Sequence, residues 1–305
     1  MRQTRAKGII LLLITALIWG ASFVAQSVGA EVIGPFTYNG IRTLMGGVVL
    51  ILFIAVRDLI RKKSIKGIID GDHFKKGLVL GIIFTVASNF QQFAFEHSTA
   101  GKIAFITALY IFFVPIIGIF MKKKVHPLTW VCVFASIAGL YLLSVKDGDL
   151  ANINMGDVLA LICALCFAVH IIFIDRYSEG SDGIKLSAIQ FLIAGSITCV
   201  LMFVFEKPTM SGISDAAIPL LYSGIMSCGV AYTFQIVGQK YTNPVVASLL
   251  MSLESVFAVL SAALLLKEIP SLREGIGCVI MFAAIIASQV IEFITKKPSR
   301  SQELQ

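Results

Sequence analysis

The chain has 305 residues, 57% of them hydrophobic and 14% charged, against roughly 45–50% and 25% in soluble domains. That composition excludes an ordinary soluble catalytic domain, and the formal net charge of +7 is spread as loop charges of a membrane protein are, which argues against a nucleic-acid partner. A membrane barrel is excluded too, because it shows alternating segments of about ten residues, whereas the apolar runs here are longer and do not alternate.

A helix needs about 20 apolar residues to cross a bilayer. In chain order, such runs are predicted at 8–28, 35–56, 77–95, 100–121, 128–145, 156–174, 184–205, 216–237, 243–266 and 272–294. The first follows Arg2, Arg5 and Lys7 but is too long for the apolar core of a signal peptide, so it reads as a span. Gly77 and Gly81 form a G-x-x-x-G pair in the third, which favours close helix approach. Pro115 lies inside the fourth and predicts a kink, while Pro244, after Thr242 and Asn243, suits the start of the ninth. The expected fold class is therefore all-α integral membrane, with ten transmembrane helices. The polar segment from Lys146 to Asn154 divides the chain into units at 1–146 and 147–295, and the polar end, 296–305, reads as a disordered tail.

The two units repeat. Gly8, Trp19, Arg42 and Gly47 match Gly156, Phe167, Gln190 and Gly195 at a spacing of 148. Gly81, Asn89, Gln92, Ala104 and Pro127 match Gly224, Tyr232, Gln235, Ala247 and Pro270 at a spacing of 143. With five spans per unit, the second copy enters the membrane upside down relative to the first. Two inverted repeats are a common build for a secondary transporter, its site near mid-membrane between them. With the first residue on the cytoplasmic side, nineteen Lys and Arg fall in inner segments and five in outer loops. This bias places both termini in the cytoplasm of a cell-membrane protein, with the basic stretch from Arg57 to Lys76 over anionic lipid head groups.

Ionisable groups within spans are costly and are candidates for function. Glu254 is near the middle of the ninth span, where it could exchange a proton or bind a cationic group, or lock the helix to a neighbour. Arg42, in the second, cannot release its proton and reads as structural or anion-pairing. His170, in the sixth, is a candidate site residue that could equally be a hydrogen-bonded core histidine. Thr85, Asn89, Gln92 and Glu96 form one helical stripe, matched by Cys228, Tyr232, Gln235 and Gln239. Amides facing lipid are penalised, so both stripes are expected to line one cavity, with helix-to-helix hydrogen bonding as the alternative. Trp19, Phe23 and Gln26 in the first span, Tyr110 in the fourth and Phe167 in the sixth add an aromatic and amide character that suits an amphipathic small molecule. The six cysteines all fall in spans, and Cys163 and Cys166 lack the partners of a metal site, so no metal or cofactor is expected. Gly101-Lys102 is followed by Ile103 where a phosphate loop needs Ser or Thr, and no hydrolase or metalloprotease motif is present, so the chain is not expected to be an enzyme.

The run Ala16-Leu17-Ile18-Trp19-Gly20-Ala21-Ser22-Phe23, followed by Arg42, resembles the start of an EamA domain, and Gly156 to Leu161 with Phe167-Ala168 echoes it. Ser252-Leu253-Glu254-Ser255-Val256-Phe257-Ala258, then Leu266-Lys267-Glu268, resembles the ninth-span pattern of the drug/metabolite transporter superfamily. Ser255 stands where proline is common in that family, so the resemblance carries no expected kink there. The likeness implies two inverted five-helix halves that rock around a central cavity. The expected activity is secondary transport, by export, of a small polar or amphipathic metabolite such as an amino acid, with protons as a candidate coupling ion. Uptake or exchange by the same build is one alternative and an intramembrane lipid-handling enzyme another, and a homodimer is compatible with the carrier.

Overall fold

The computed structural model describes residues 2–62, 70–123, 125–145, 153–265, 267 and 270–295. Most of the predicted Lys146–Asn154 divide and the whole 296–305 tail lie outside the described residues. All regular elements among the described residues are helices. They are α1 (Arg2–Ala30), α2 (Pro35–Ile60), α3 (Gly71–Ala94), α4 (Ala100–Ala108), α5 (Tyr110–Phe120), α6 (Pro127–Ser144), α7 (Met155–Ser178) and α8 (Gly183–Phe205). Then come α9 (Met210–Asp215), α10 (Ala217–Leu221), a π-helical stretch (Tyr222–Ala231), α11 (Tyr232–Gln239), α12 (Pro244–Met251), α13 (Glu254–Leu265) and α14 (Leu272–Thr295).

Local chemistry starts these helices. Asp70, Thr99, Asn154, Asp182 and Asn243 each accept a backbone N–H in the first turn that follows, satisfying donors that a helix start leaves orphaned. At α7 the bond is reciprocal, a capping box between Asn154 and Asp157. Pro35, Pro127 and Pro244 occupy the first helical position, where proline costs no hydrogen bond. Nine helical stretches among the described residues are long and apolar enough to cross a membrane, and Pro127–Leu143 is a shorter apolar one.

That shorter helix still reaches from one face to the other. Lys102 at the start of α4 pairs with Asp157 at the start of α7, and Lys123 just after α5 pairs with Asp175 near the end of α7. The α4–α5 stretch and α7 are therefore parallel, and α6, which joins the end of one to the start of the other, must return across the bundle. Its 18 residues span about 27 Å at 1.5 Å each, close to the roughly 30 Å hydrocarbon thickness.

Contacts recur with the halves exchanged. The α2–α8 crossing is tight because a methyl on Gly47 would lie 2.8 Å from the Leu192 nitrogen, and one on Gly195 2.5 Å from the Leu44 nitrogen. Gly81 of α3 rests on the Gln190 carbonyl and Ile193, while Gly224 of the π stretch rests on the Arg42 carbonyl and Met45. These are the same contacts between residues that the sequence repeat equates. Helix α6 packs on α14, α3 on α7 and α8, and α1 on α11 and α13.

Two spans are interrupted at matching places. The fourth breaks at Leu109 (φ −61°, ψ −7°) and the ninth at Ser252 (φ −63°, ψ −13°), a separation of 143 residues. Both breaks are tightened turns with i+3 hydrogen bonds, Leu109 N–H to Ile106 O and Leu253 N–H to Leu250 O. The fourth-span break thus precedes Pro115, and the ninth breaks although Ser255 is not proline.

Candidate functional site

The first residues after the two breaks meet. Tyr110 opens α5, Glu254 opens α13, and the Tyr110 hydroxyl donates to Glu254 Oε1 at 3.1 Å. Both line a cavity walled also by Trp19, Gln26, Arg42, Tyr232 and Gln235. Its volume is about 30 Å³, room for about two waters, so the bundle is nearly closed around it. Paired discontinuous helices at corresponding positions of two repeats are a pointer to a transporter's binding site.

The cavity holds one guanidinium and one carboxyl group, both buried. Arg42 Nε donates to Asn39 Oδ1 at 3.0 Å, and the guanidinium lies 5.7 Å from the centre of the Tyr38 ring. Among the described residues no ion pair joins Arg42 to Glu254. Aromatic rings form part of the wall. Trp19 packs on Tyr232 with centroids 4.5 Å apart, and Tyr232 packs edge-on against Phe84 and Phe191. Trp19 Nε1, Gln26 Oε1 and Gln235 Oε1 are buried with no hydrogen-bond partner within the protein. Buried polar atoms are usually satisfied, so these three present unused bonding capacity around the cavity.

Nine of the residues singled out from the sequence are therefore gathered at this cavity: Trp19, Phe23, Gln26, Arg42, Tyr110, Phe167, Tyr232, Gln235 and Glu254. Three others are not on its wall. Asn89 is tied into a network between helices, donating to Thr85 O and Thr198 Oγ1 and accepting from Asn39. His170 bonds through Nε2 to Gln190 Oε1 at 2.8 Å and is packed among Phe84, Phe167 and Tyr232. Gln92 is fully buried away from the cavity. The expectation that the third-span stripe lines the chamber is corrected in this respect: α3 packs on α7 and α8, Asn89 is bonded between helices, and Gln92 is buried with both amide atoms unpartnered within the protein. The neighbouring Gln91 lines the cavity instead, within reach of Thr107 at 3.5 Å. Ser22, Thr107 and Ser227 also line it. A hydroxyl is satisfied cheaply within its own helix, so these carry little signal in a sequence.

The two ends of the bundle differ in charge. At the face bearing the α7–α8 turn, Arg57 bonds Asp58 and Asp182, each at 2.9 Å, Lys76 bonds Ser181, and His73 Nε2 accepts from the Asp182 backbone at 3.0 Å. Asp70 is pushed down to about 2 by the His73 backbone N–H and then by its ring. Burial works against Asp182, yet the Arg57 bond and charge hold its carboxyl below the usual range. At the other face Glu206 caps α2, accepting from Phe36 and Thr37 backbone N–H, both at 2.8 Å. These contacts join the two sequence halves at both faces.

The EamA-like transporter family matches residues 6–145 and 154–288. An uncharacterized transporter of Archaeoglobus fulgidus is 29% identical over 90% of this chain and 83% of its own length. One from Clostridium kluyveri is 25% identical over 95% and 94%. The uncharacterized inner membrane transporter YedA of Escherichia coli K12 is 24% identical over 77% and 78%. A protein crystal structure superposes with a TM-score of 0.73 over 94% of this chain and 98% of that one, at 16% identity, a likeness of fold alone.

Proposed function

We propose that this chain, which belongs to the EamA-like transporter family, is a secondary carrier that exports a small amino-acid-like metabolite by alternating access around the Arg42–Glu254 cavity. The observation that carries the reading is a guanidinium and a carboxyl group on one aromatic-walled chamber, not joined to each other by an ion pair. A zwitterion answers both. Its carboxylate faces Arg42, a permanent cation; its ammonium faces Glu254; an apolar side group lies against Trp19 and Tyr232. Between substrates, Glu254 is the group that would take a proton, which makes it the coupling residue.

Ten crossings in two oppositely inserted halves fit the exchanged glycine contacts, the return of α6 across the bundle and the breaks at Leu109 and Ser252. The positive-inside bias assigns the face with Arg57, Lys76 and Lys123, together with both termini, to the cytoplasm. Rocking of the halves would expose the cavity to each side in turn. Counterflow of radiolabelled amino acids in proteoliposomes tests the reading. Wild type should accumulate label for at least one amino acid, and Arg42→Gln should abolish it. No label exchange for any amino acid in the panel would end the substrate assignment, and a fully gradient-driven Glu254→Gln carrier would end the coupling role.

A further inference from the structure

A second and larger cavity, about 510 Å³, opens near the basic face and is lined by Lys123, Asp175, Gln239, Lys240 and Thr242 among others. Its walls continue those of the central chamber. Ile171 of α7 and Gln235 of α11 line the inner chamber, and Asp175 and Gln239, four residues further along the same helices, line the outer one. Four residues are about one turn, or roughly 6 Å along the axis, so the two spaces are stacked end to end.

One hydrogen bond crosses between them. Gln239 Nε2 donates to the Ile171 carbonyl at 3.0 Å, tying α11 to α7. The Ile171 carbonyl lies inside α7, where the helix ladder already uses it, so α7 does not need this bond to hold its form. Gln239 is almost fully buried, and its Oε1 has no partner within the protein. A side chain that closes a passage with one bond, and keeps a second capacity unused, is built to let go.

The packing beside it is graded the same way. The two ends of the α4–α5 and α7 pair are each pinned by a Lys–Asp contact of 2.6 Å. Lys102–Asp157 is buried, its side chains 5% and 7% exposed. Lys123–Asp175, at the vestibule, is 45% and 24% exposed, and exposed pairs hold weakly. The end next to Gln239 is therefore the one that separates more readily. Two lysines against one aspartate leave the vestibule positive, which suits a solute carrying a carboxylate.

Resting on the carrier reading above, we propose that this vestibule is the cytoplasmic mouth of the transport path for carboxylate-bearing solutes, and that Gln239 is the gate between it and the central cavity. The test needs no substrate. Ser227→Cys places a thiol on the cavity wall of the full-length chain, and peptide mass spectrometry follows its reaction with an impermeant anionic methanethiosulfonate. The reagent is applied to inside-out or right-side-out vesicles. Gln239→Leu, which keeps the bulk and removes the bond, should raise the rate from the cytoplasmic face roughly threefold to tenfold, the scale of one interhelical hydrogen bond. From the other face the rate should stay within about twofold. Asp175→Asn, which frees Lys123, should act in the same direction. The anionic reagent should outpace a cationic one of like size from the cytoplasmic face. Equal rates in wild type and both variants, or an increase of the same size from both faces, would overturn the gate. Wild type that gates in this way but exchanges no solute would overturn the carrier reading instead.

Discussion

The predicted third and eighth spans carry matching polar stripes and put them to different uses. In α3, Asn89 is spent on Asn39, Thr85 and Thr198. At the start of α11 its repeat partner Tyr232 stands on the cavity wall beside Gln235. Winding separates them. Residues 71–94 are α-helical throughout, whereas Tyr222–Ala231 are wound as a π-helix, with the Tyr232 N–H reaching Ser227 O. A π stretch is rare and often sits at functional sites. Because it turns fewer degrees per residue than an α-helix, equal spacing in sequence no longer means equal facing in space. The α3 residue that reaches the cavity is accordingly Gln91, one position away from the stripe. Repeats of one sequence pattern can thus yield one helix that holds the bundle and one that shapes the chamber.

Five substitutions sharpen or break that contrast. The largest effect is expected from Tyr232→Ala, which strips the cavity wall. Counterflow should fall on the order of 100-fold, as misplacement at a binding site does, while cavity-independent folding markers are retained. Asn89→Leu should do the reverse, lowering stability by about 1–3 kcal/mol because one Asn39 amide N–H loses its acceptor while the other keeps Ser88, and leaving substrate preference unchanged, as read from thermal unfolding and a competition panel. A change of substrate preference in Asn89→Leu would mean that α3 lines the chamber after all.

The mirrored glycines give a smaller, graded effect. A methyl on Gly81 would lie 2.9 Å from the Gln190 carbonyl oxygen, a backbone atom, whereas on Gly224 the nearest atom is the Met45 sulfur at 2.7 Å, on a flexible side chain. Gly81→Ala should cost about 1–3 kcal/mol, and Gly224→Ala less, in chemical or thermal unfolding. An equal cost at both would show that the Arg42 carbonyl, 3.1 Å from the Gly224 methyl position, governs that contact.

The smallest effect concerns how the two crossings begin. Helix α3 starts on Asp70, which caps it and bonds His73, whereas α10 starts on Ala216 with no side-chain cap. The folded Asp70 pKa, about 2, lies below its ordinary 3.8. Its stabilisation is therefore complete above about pH 4 and is lost as pH falls through the folded value. Asp70→Asn retains a capping oxygen but not the titration. Its melting temperature should be lower than wild type at neutral pH, and the two should converge as pH drops from 4 toward 2.

Much of this was legible in the chain itself. Long apolar runs mark helices because lipid leaves the backbone no other partner, and a glycine kept at 47 and 195, or at 81 and 224, marks a place where two backbones approach. Glu254, Arg42 and Tyr110 stand out because polarity within a span is costly, and the structure gathers them at one cavity. His170 stands out equally but is off the cavity wall, its Nε2 bonded to Gln190 and its Nδ1 buried without a partner. The cost of burying a polar group shows in a sequence; the identity of the group that meets that cost does not.

The order and length of the helices, their internal repeat and the choice of polar residues buried in them follow from the sequence alone, since they depend on local hydrogen bonding and transfer out of water. Which of those polar residues face a shared chamber was decided only by tertiary structure. The π winding before Tyr232, the breaks at Leu109 and Ser252, and the Gln239–Ile171 bond set side-chain direction through contacts between segments far apart in the chain. No local pattern encodes a rotation that neighbouring helices impose.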